Sequence, residues 1–261
     1  MLLRNKVAII YGGGGAVGGA AARAFAREGA RLVLAGRTEG ALQKVAEEIA
    51  AQGGQAEVET LDALNPDDID RCVDATMTKA GTIDISFNAI SLGETQGAPL
   101  SEMSEQQFLL PITTAMQSHF LTATAAARHM SKQRSGVILA ITAQAARKPY
   151  RDVGGFGVAG AAIEGLCRQL AVELGPKGIR VVCISSAGSP DTPGLEETWR
   201  KHAQNAGMAP DAFERNIAEK TMLKRLPKLA EIANVAAIMA SDLASPLTGT
   251  IANATCGEIA D

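Results

Sequence analysis

Short apolar runs alternate with amphipathic, helix-forming stretches along almost the whole chain. Residues 6–11 form a continuous apolar run that stops at four glycines, the pattern of a strand buried on both faces followed by a tight turn. Residues 16–28 are alanine-rich and helix-forming, with Gly29 as a C-terminal cap. A second strand is predicted over 31–35, a helix over 39–51 stopped by Gly53 and Gly54, and a third strand over 56–61. Pro66 opens the next helix near its first turn, and a fourth strand spans 83–87. Beyond it the pattern predicts a long helix over 112–133, a strand over 136–142, a helix over 154–174 closed by Gly175 and Pro176, and a strand over 179–185. A helix over 229–243 and a strand over 250–255 complete the series. Residues 188–227 are punctuated by prolines, carry one or two short helices, and are too long for a plain connection. Strand and helix in this rhythm predict right-handed crossovers and an α/β fold: a doubly wound parallel sheet of Rossmann type, one domain over 1–261. Long inserts at the carboxyl edge of such sheets cover ligands, so 188–227 is expected to cover a small-molecule substrate.

Composition narrows this little. The length of 261 residues is enough for one large sheet domain. Aromatic residues are only 3% of the chain, so the core must be aliphatic and alanine, which suits close helix–sheet packing. A net charge of -3 argues against a nucleic-acid partner, which would call for a basic face. Cys72, Cys167, Cys183 and Cys256 form no metal-ligand spacing and read as reduced thiols, so no metal is expected. The opening residues do not read as a signal peptide, and no apolar run approaches a membrane span. The expectation is a cytoplasmic protein with no membrane partner.

The chemistry begins at the glycine turn. Gly13, Gly15 and Gly18 satisfy G-x-G-x-x-G between a strand and a helix, directly after Gly12. Glycine lets the backbone approach a pyrophosphate, and the helix opening at Ala16 and Val17 offers unpaired N–H groups and partial positive charge. A turn needed only for helix–strand packing is the alternative. The second strand ends Ala35-Gly36-Arg37, with no carboxylate before Glu39 to take the ribose hydroxyl of NAD. Arg37 suits a 2′-phosphate, so NADP is favoured over NAD, a solvated surface arginine being the alternative.

Gly12, the spacing to Ala16 and Gly18, and the Arg-Ala-Phe-Ala-Arg-Glu-Gly-Ala segment at 23–30 resemble the classical short-chain dehydrogenases/reductases. So do residues 162–174, Gly178-Ile-Arg-Val-Val182 and Leu223-Lys-Arg-Leu-Pro227. The resemblance implies a nicotinamide cofactor, with Asp62 and Ala63 at the adenine and Asn88 and Ala89 after the fourth strand. Gly188, in Ser186-Ala187-Gly188, resembles the enoyl-reductase branch at the same place. It also implies a homodimer or homotetramer packed through the helices at 112–133 and 154–174. In that family a Tyr exchanges a proton with the substrate oxygen. A Lys four residues later lowers its pKa, a Ser thirteen residues before it polarises the carbonyl, and an Asn on the long helix holds a relay water. Alignment puts these on Phe156, Gly160, Ala143 and Ala115, none of which transfers a proton. The enoyl-reductase Tyr falls on Val153. The motif's leading Thr is Tyr11, which reads as a packing group, and its central Gly is Ala16.

A relocated proton source is therefore expected. Tyr150 is the catalytic candidate, with Lys148 or Arg151 to lower its pKa, against the alternative of a solvated loop. Thr142, Gln144, Arg147 and Asp152 lie on or near the same loop, and Glu94 follows the fourth strand. His119, one turn past Ala115, reads as a helix-surface or subunit-contact residue. Trp199 is either a lid anchor or core packing for a short helix. Three functions stay open. The favoured one is an NADP-dependent oxidoreductase with an unorthodox proton source, acting on a small carbonyl, alcohol or activated double bond. The others are a catalytically inactive dinucleotide sensor or partner subunit, and a non-redox lyase, isomerase or cyclase reusing the pocket.

Overall fold

Seven parallel strands lie in the order β3-β2-β1-β4-β5-β6-β7 in the computed structural model, which describes residues 1–260. They are β1 (Val7–Tyr11), β2 (Arg31–Gly36), β3 (Gln55–Thr60), β4 (Ile85–Asn88), β5 (Gly136–Ala143), β6 (Ile179–Ser186) and β7 (Thr250–Ala254). The helices between them are α1 (Ala16–Arg27), α2 (Glu39–Ala50), α3 (Pro66–Ala80), α4 (Glu105–Gln133), α5 (Phe156–Leu174), α6 (Leu195–Asn205), α7 (Pro210–Lys220) and α8 (Leu229–Ala240). The strand order reverses between β1 and β4, which opens the crevice where such sheets bind ligands.

Strand alternation builds two cores. Ile9 and Tyr11 of β1 face the cluster shared with α3, α4 and α5, while Ala8 and Ile10 face the one shared with α1, α2 and α8. Burial of both faces explains why β1 reads as an unbroken apolar run, whereas the edge strand β3 leaves Gln55, Glu57 and Thr60 exposed. Phe25 of α1 stacks on Phe87 of β4 at 6.3 Å, two of the few aromatic rings among the alanines.

Three boundaries differ from the pattern. The long helix begins at Glu105, not at 112, because Ser104 and Gln107 form a reciprocal capping box upstream of Pro111. The fourth strand starts at Ile85, because Asp84 turns its carboxylate onto the Val7 N–H at 2.8 Å. Helix α8 stops at Ala240, and residues 242–244 form a separate 3-10 turn after Ser241. Residues 188–227 carry two short helices, α6 and α7.

Candidate active site

The glycine turn is held from behind. The Gly12 and Gly13 N–H groups donate to Ala35 O at the tip of β2, at 2.8 and 3.2 Å, and Gly15 N–H donates to Gly12 O at 2.9 Å. Gly12 has φ +79°, and a Cβ there would stand 2.5 Å from Ala89 O, so glycine alone fits. A Cβ on Gly18 would fall on the Gly12 carbonyl oxygen, which is how α1 packs directly behind the turn. At the other side the turn is open: a Cβ on Gly15 would meet only Gly12 O, at 3.2 Å. Gly15 caps α1 with no side-chain bond, and the first turn holds no acid. The amides of Ala16, Val17 and Gly18 lie in that first turn and have no intrahelical acceptor. A recess that any side chain would fill, beside an uncapped helix N-terminus, fits the pyrophosphate of a dinucleotide.

The neighbouring strand ends complete a crevice. Arg37, just past β2, is exposed and has no hydrogen bond or ion pair among the described residues. Asp62 is exposed after β3 and turns its carboxylate onto the Leu64 N–H at 3.0 Å, with Ala63 buried beside it. Asn88 is buried at the end of β4, where it donates to Thr122 Oγ1 and accepts from Ile90 N–H, both at 3.2 Å. Ala89 N–H donates to Tyr11 O at 2.9 Å, which ties the ends of β4 and β1 together. Tyr11 is fully buried, and burial holds its phenol well above its ordinary pKa, in keeping with a packing role.

The β5–α5 side is closed instead. Ala143 ends β5, Ala115 is buried in α4, and Phe156 opens α5 against the cluster that contains Ala115. A Cβ on Gly160 would stand 2.9 Å from the Ala146 Cβ, and one on Gly157 would stand 2.7 Å from Ala145 O. A Cβ on Gly155 would fall on Phe108 O. The opening of α5 is thus pressed against the β5 loop and against α4.

Tyr150 lies on that loop, and its hydroxyl donates to Glu258 Oε1. Lys148 Nζ lies 3.3 Å from the same oxygen and 5.5 Å from the centre of the Tyr150 ring. Burial, followed by the Glu258 carboxylate, pushes the Tyr150 pKa up, contrary to the lowering expected from Lys148 or Arg151. Lys148 is engaged by the carboxylate, and Arg151 is exposed. The Glu258 side chain is 1% exposed, and its Oε2 has no partner among the described residues. His119 is likewise not the surface residue expected. It is 6% exposed, its Nδ1–H donates to Ala115 O at 2.9 Å, and burial pushes its pKa down to about 4. Thr142 faces Cys183 in the core at 3.5 Å, and Arg147 pairs with Glu164 of α5 at 3.2 Å. All four cysteines are free thiols, and no cluster of metal-ligating side chains occurs among the described residues. No helix among them is long and apolar enough to cross a membrane. Trp199 of α6 packs on Gly188, where a Cβ would stand 2.9 Å from its ring.

Fold, crevice and glycine turn define a nucleotide-dependent oxidoreductase scaffold, and the chain belongs to the short-chain dehydrogenase/reductase family. Residues 14–257 match the family model described as enoyl-(acyl carrier protein) reductase. The chain is 31% identical over 251 residues to a 3-oxoacyl-[acyl-carrier-protein] reductase of Chlamydia trachomatis, covering 96% of each. It is 30% identical over 257 residues to the 7alpha-hydroxysteroid dehydrogenase of Escherichia coli, covering 98% of this chain and 95% of that one. Among solved structures, NAD+-bound xylitol dehydrogenase superposes with a TM-score of 0.92 at 25% identity, over 98% of this chain and 100% of that one. A 7 alpha-hydroxysteroid dehydrogenase complexed with NADH and 7-oxo glycochenodeoxycholic acid superposes at 0.85 with 29% identity, over 99% of this chain and 96% of that one.

Proposed function

We propose that this protein is an NADP(H)-dependent reductase of small carbonyl compounds or activated double bonds, with a proton donor outside the family's usual position. The observation that carries the reading is the recess between Gly12, Gly15 and Gly18, beside an uncapped α1 and an unpaired Arg37. The relatives named above are reductases and dehydrogenases, which favours it over a sensor or a non-redox enzyme. When bound, the nicotinamide supplies the hydride. The chain's part is to hold and shield. The turn from Gly12 to Gly15, with the free amides of Ala16, Val17 and Gly18, would take the pyrophosphate, Arg37 the 2′-phosphate, Asp62 and Ala63 the adenine, and Asn88, Ala89 and Gly188 the nicotinamide side. The 188–227 segment would cover the substrate.

Gly160 supports a non-standard site. A lysine there would need the α5–β5 loop contact to open, since even a Cβ is 2.9 Å from Ala146. Phe156 keeps a ring and no hydroxyl. Tyr150 is the proposed donor. A phenol whose pKa is held up stays protonated at neutral pH, the form that gives a proton to a developing alkoxide. In the reverse direction the same oxygen would take the proton back. The test is NADPH consumption against a panel of small ketones, aldehydes and enones, with Tyr150→Phe beside the wild type. Turnover by the wild type and a loss of about 10²–10⁴-fold in the variant are expected. Consumption unchanged in Tyr150→Phe removes Tyr150, and no consumption with any substrate removes the reductase reading. A homodimer or homotetramer in the cytoplasm remains part of the proposal, supported by exposed Phe120 on α4 and Val158 and Val172 on α5.

A further inference from the structure

The chain after β7 crosses the carboxyl edge of the sheet, past β6, to the loop that follows β5. Its path is fixed by its own bonds. Thr255 is fully buried, and its hydroxyl accepts from the Glu258 N–H at 3.1 Å. The Met222 and Leu223 N–H groups donate to Gly257 O and Cys256 O, at 3.2 and 3.1 Å. Asn253 Nδ2 donates to Ile259 O at 2.8 Å. The Glu258 side chain is thereby delivered, buried, against Lys148 and Tyr150. A buried carboxylate needs donors for both of its oxygens. Oε1 has two, the Tyr150 hydroxyl and the Lys148 ammonium, the latter at 3.3 Å. Oε2 has none among the described residues. Gln144, which opens the same loop, carries a second buried oxygen without a donor, its Oε1. Both atoms only accept, so the group that completes the cluster brings an O–H or an N–H. Charge chooses between them. Lys148 already pairs with the carboxylate, so a neutral hydroxyl suits the place better than a second ammonium.

We infer that Glu258 is a substrate-binding residue and that the site selects α-hydroxy carbonyl compounds, whose hydroxyl donates to Glu258 Oε2. The position of the hydroxyl follows from the carboxylate. Tyr150 is the donor to the substrate carbonyl in the reading above, on which this inference rests, and it sits on the other oxygen of the same carboxylate. The carbonyl and the hydroxyl therefore lie on neighbouring carbons. When the phenol turns from Glu258 to the substrate, Lys148 stays on Oε1 and holds the carboxylate in place.

The probes are hydroxyacetone, methoxyacetone and aminoacetone, which are close in size and carry a neutral donor, no donor and an ammonium. Affinity is read by saturation-transfer NMR on the full-length protein with NADP+, which brings no hydride, and kcat/KM by NADPH consumption. The wild type should prefer hydroxyacetone over both others by about 10-fold or more. In Glu258→Gln, Tyr150 and Lys148 both donate and so hold the amide oxygen, which puts the amide N–H groups where Oε2 was. Methoxyacetone, which only accepts, should then bind at least as well as hydroxyacetone. A residue that merely held the loop would weaken all three probes alike. Lys148→Met removes the opposing charge from a part-exposed side chain and should make aminoacetone the best ligand. Far-UV circular dichroism checks the fold of each variant. Binding of none of the probes by the wild type, equal affinity for all three, or a preference for hydroxyacetone unchanged in either folded variant overturns the inference. Selective binding without NADPH consumption would count against the proposed reductase and leave the hydroxyl site standing.

Discussion

Gly18 and Gly160 both lie early in helices that follow central strands, and neither has room for a Cβ. What crowds them differs. Gly18 is crowded by the carbonyl of its own turn, from behind, so α1 starts tight against the sheet with its first-turn amides free. Gly160 is crowded by Ala146 of the loop leading into its helix, so the same residue type fills space at this place. One half of the crevice uses glycine to open a recess for a phosphate. The other uses it to close the position where family resemblance puts a lysine. The two halves of a single fold therefore differ in what they leave room for: open space beside the glycine turn, and none at Gly160.

Breaking the first half should have the largest effect. Gly18→Val drives a side chain onto the Gly12 carbonyl, and overpacking of about 3 kcal/mol is expected to cost NADPH about 100-fold in affinity by calorimetry. Beneath the second half, His119 is held neutral. Its pKa in the folded protein is about 4, against about 6.5 unfolded, so the unfolded chain binds the extra proton between those values. Stability is therefore lost as pH falls from about 6.5 towards 4, by about 2 to 3 kcal/mol, and a His119→Gln variant should lose that part of the slope in denaturant titrations. Gly160→Lys, the family's residue at that place, should lower stability by about 2 kcal/mol with no gain in NADPH affinity, because the lysine has no room. A thermal melt reads the first and calorimetry the second. Smallest of all, Phe156→Tyr restores a hydroxyl on a half-buried ring. It should cost under about 1 kcal/mol and add no more than a trace to the wild-type turnover, since its lysine partner is absent.

The division also explains which parts could be read from the chain. The glycine turn and the strands around it were legible because their signals are local: an apolar run, four glycines and an alanine-rich helix within twenty residues of one another. The first turns of α4 were missed because Pro111 reads as a helix start, although the Ser104-x-x-Gln107 pair seven residues upstream carries the signal. His119 reads as a surface residue because the buried face of α4 is built largely of small residues such as Ala115, Ser118, Thr122 and Ala126, while Leu109, Leu110 and Phe120 are exposed. Glu258 was not legible at all. Its bond to Tyr150 joins residues 108 apart, and a lone glutamate near the end of the chain has no spacing to announce it. The hydrogen bonds of His202 to Gln96 and of Asn205 to Asp152 are of the same long-range kind, and only the folded chain shows them.

The central claim is that the cofactor half binds NADP through Arg37. Titration of the purified protein with NADPH and NADH, in wild type and Arg37→Ala, tests it most directly. The account predicts that NADPH binds about 10- to 100-fold tighter than NADH, that Arg37→Ala abolishes the difference, and that NADH affinity is untouched. Equal affinity for the two in the wild type, or binding of neither, would contradict it.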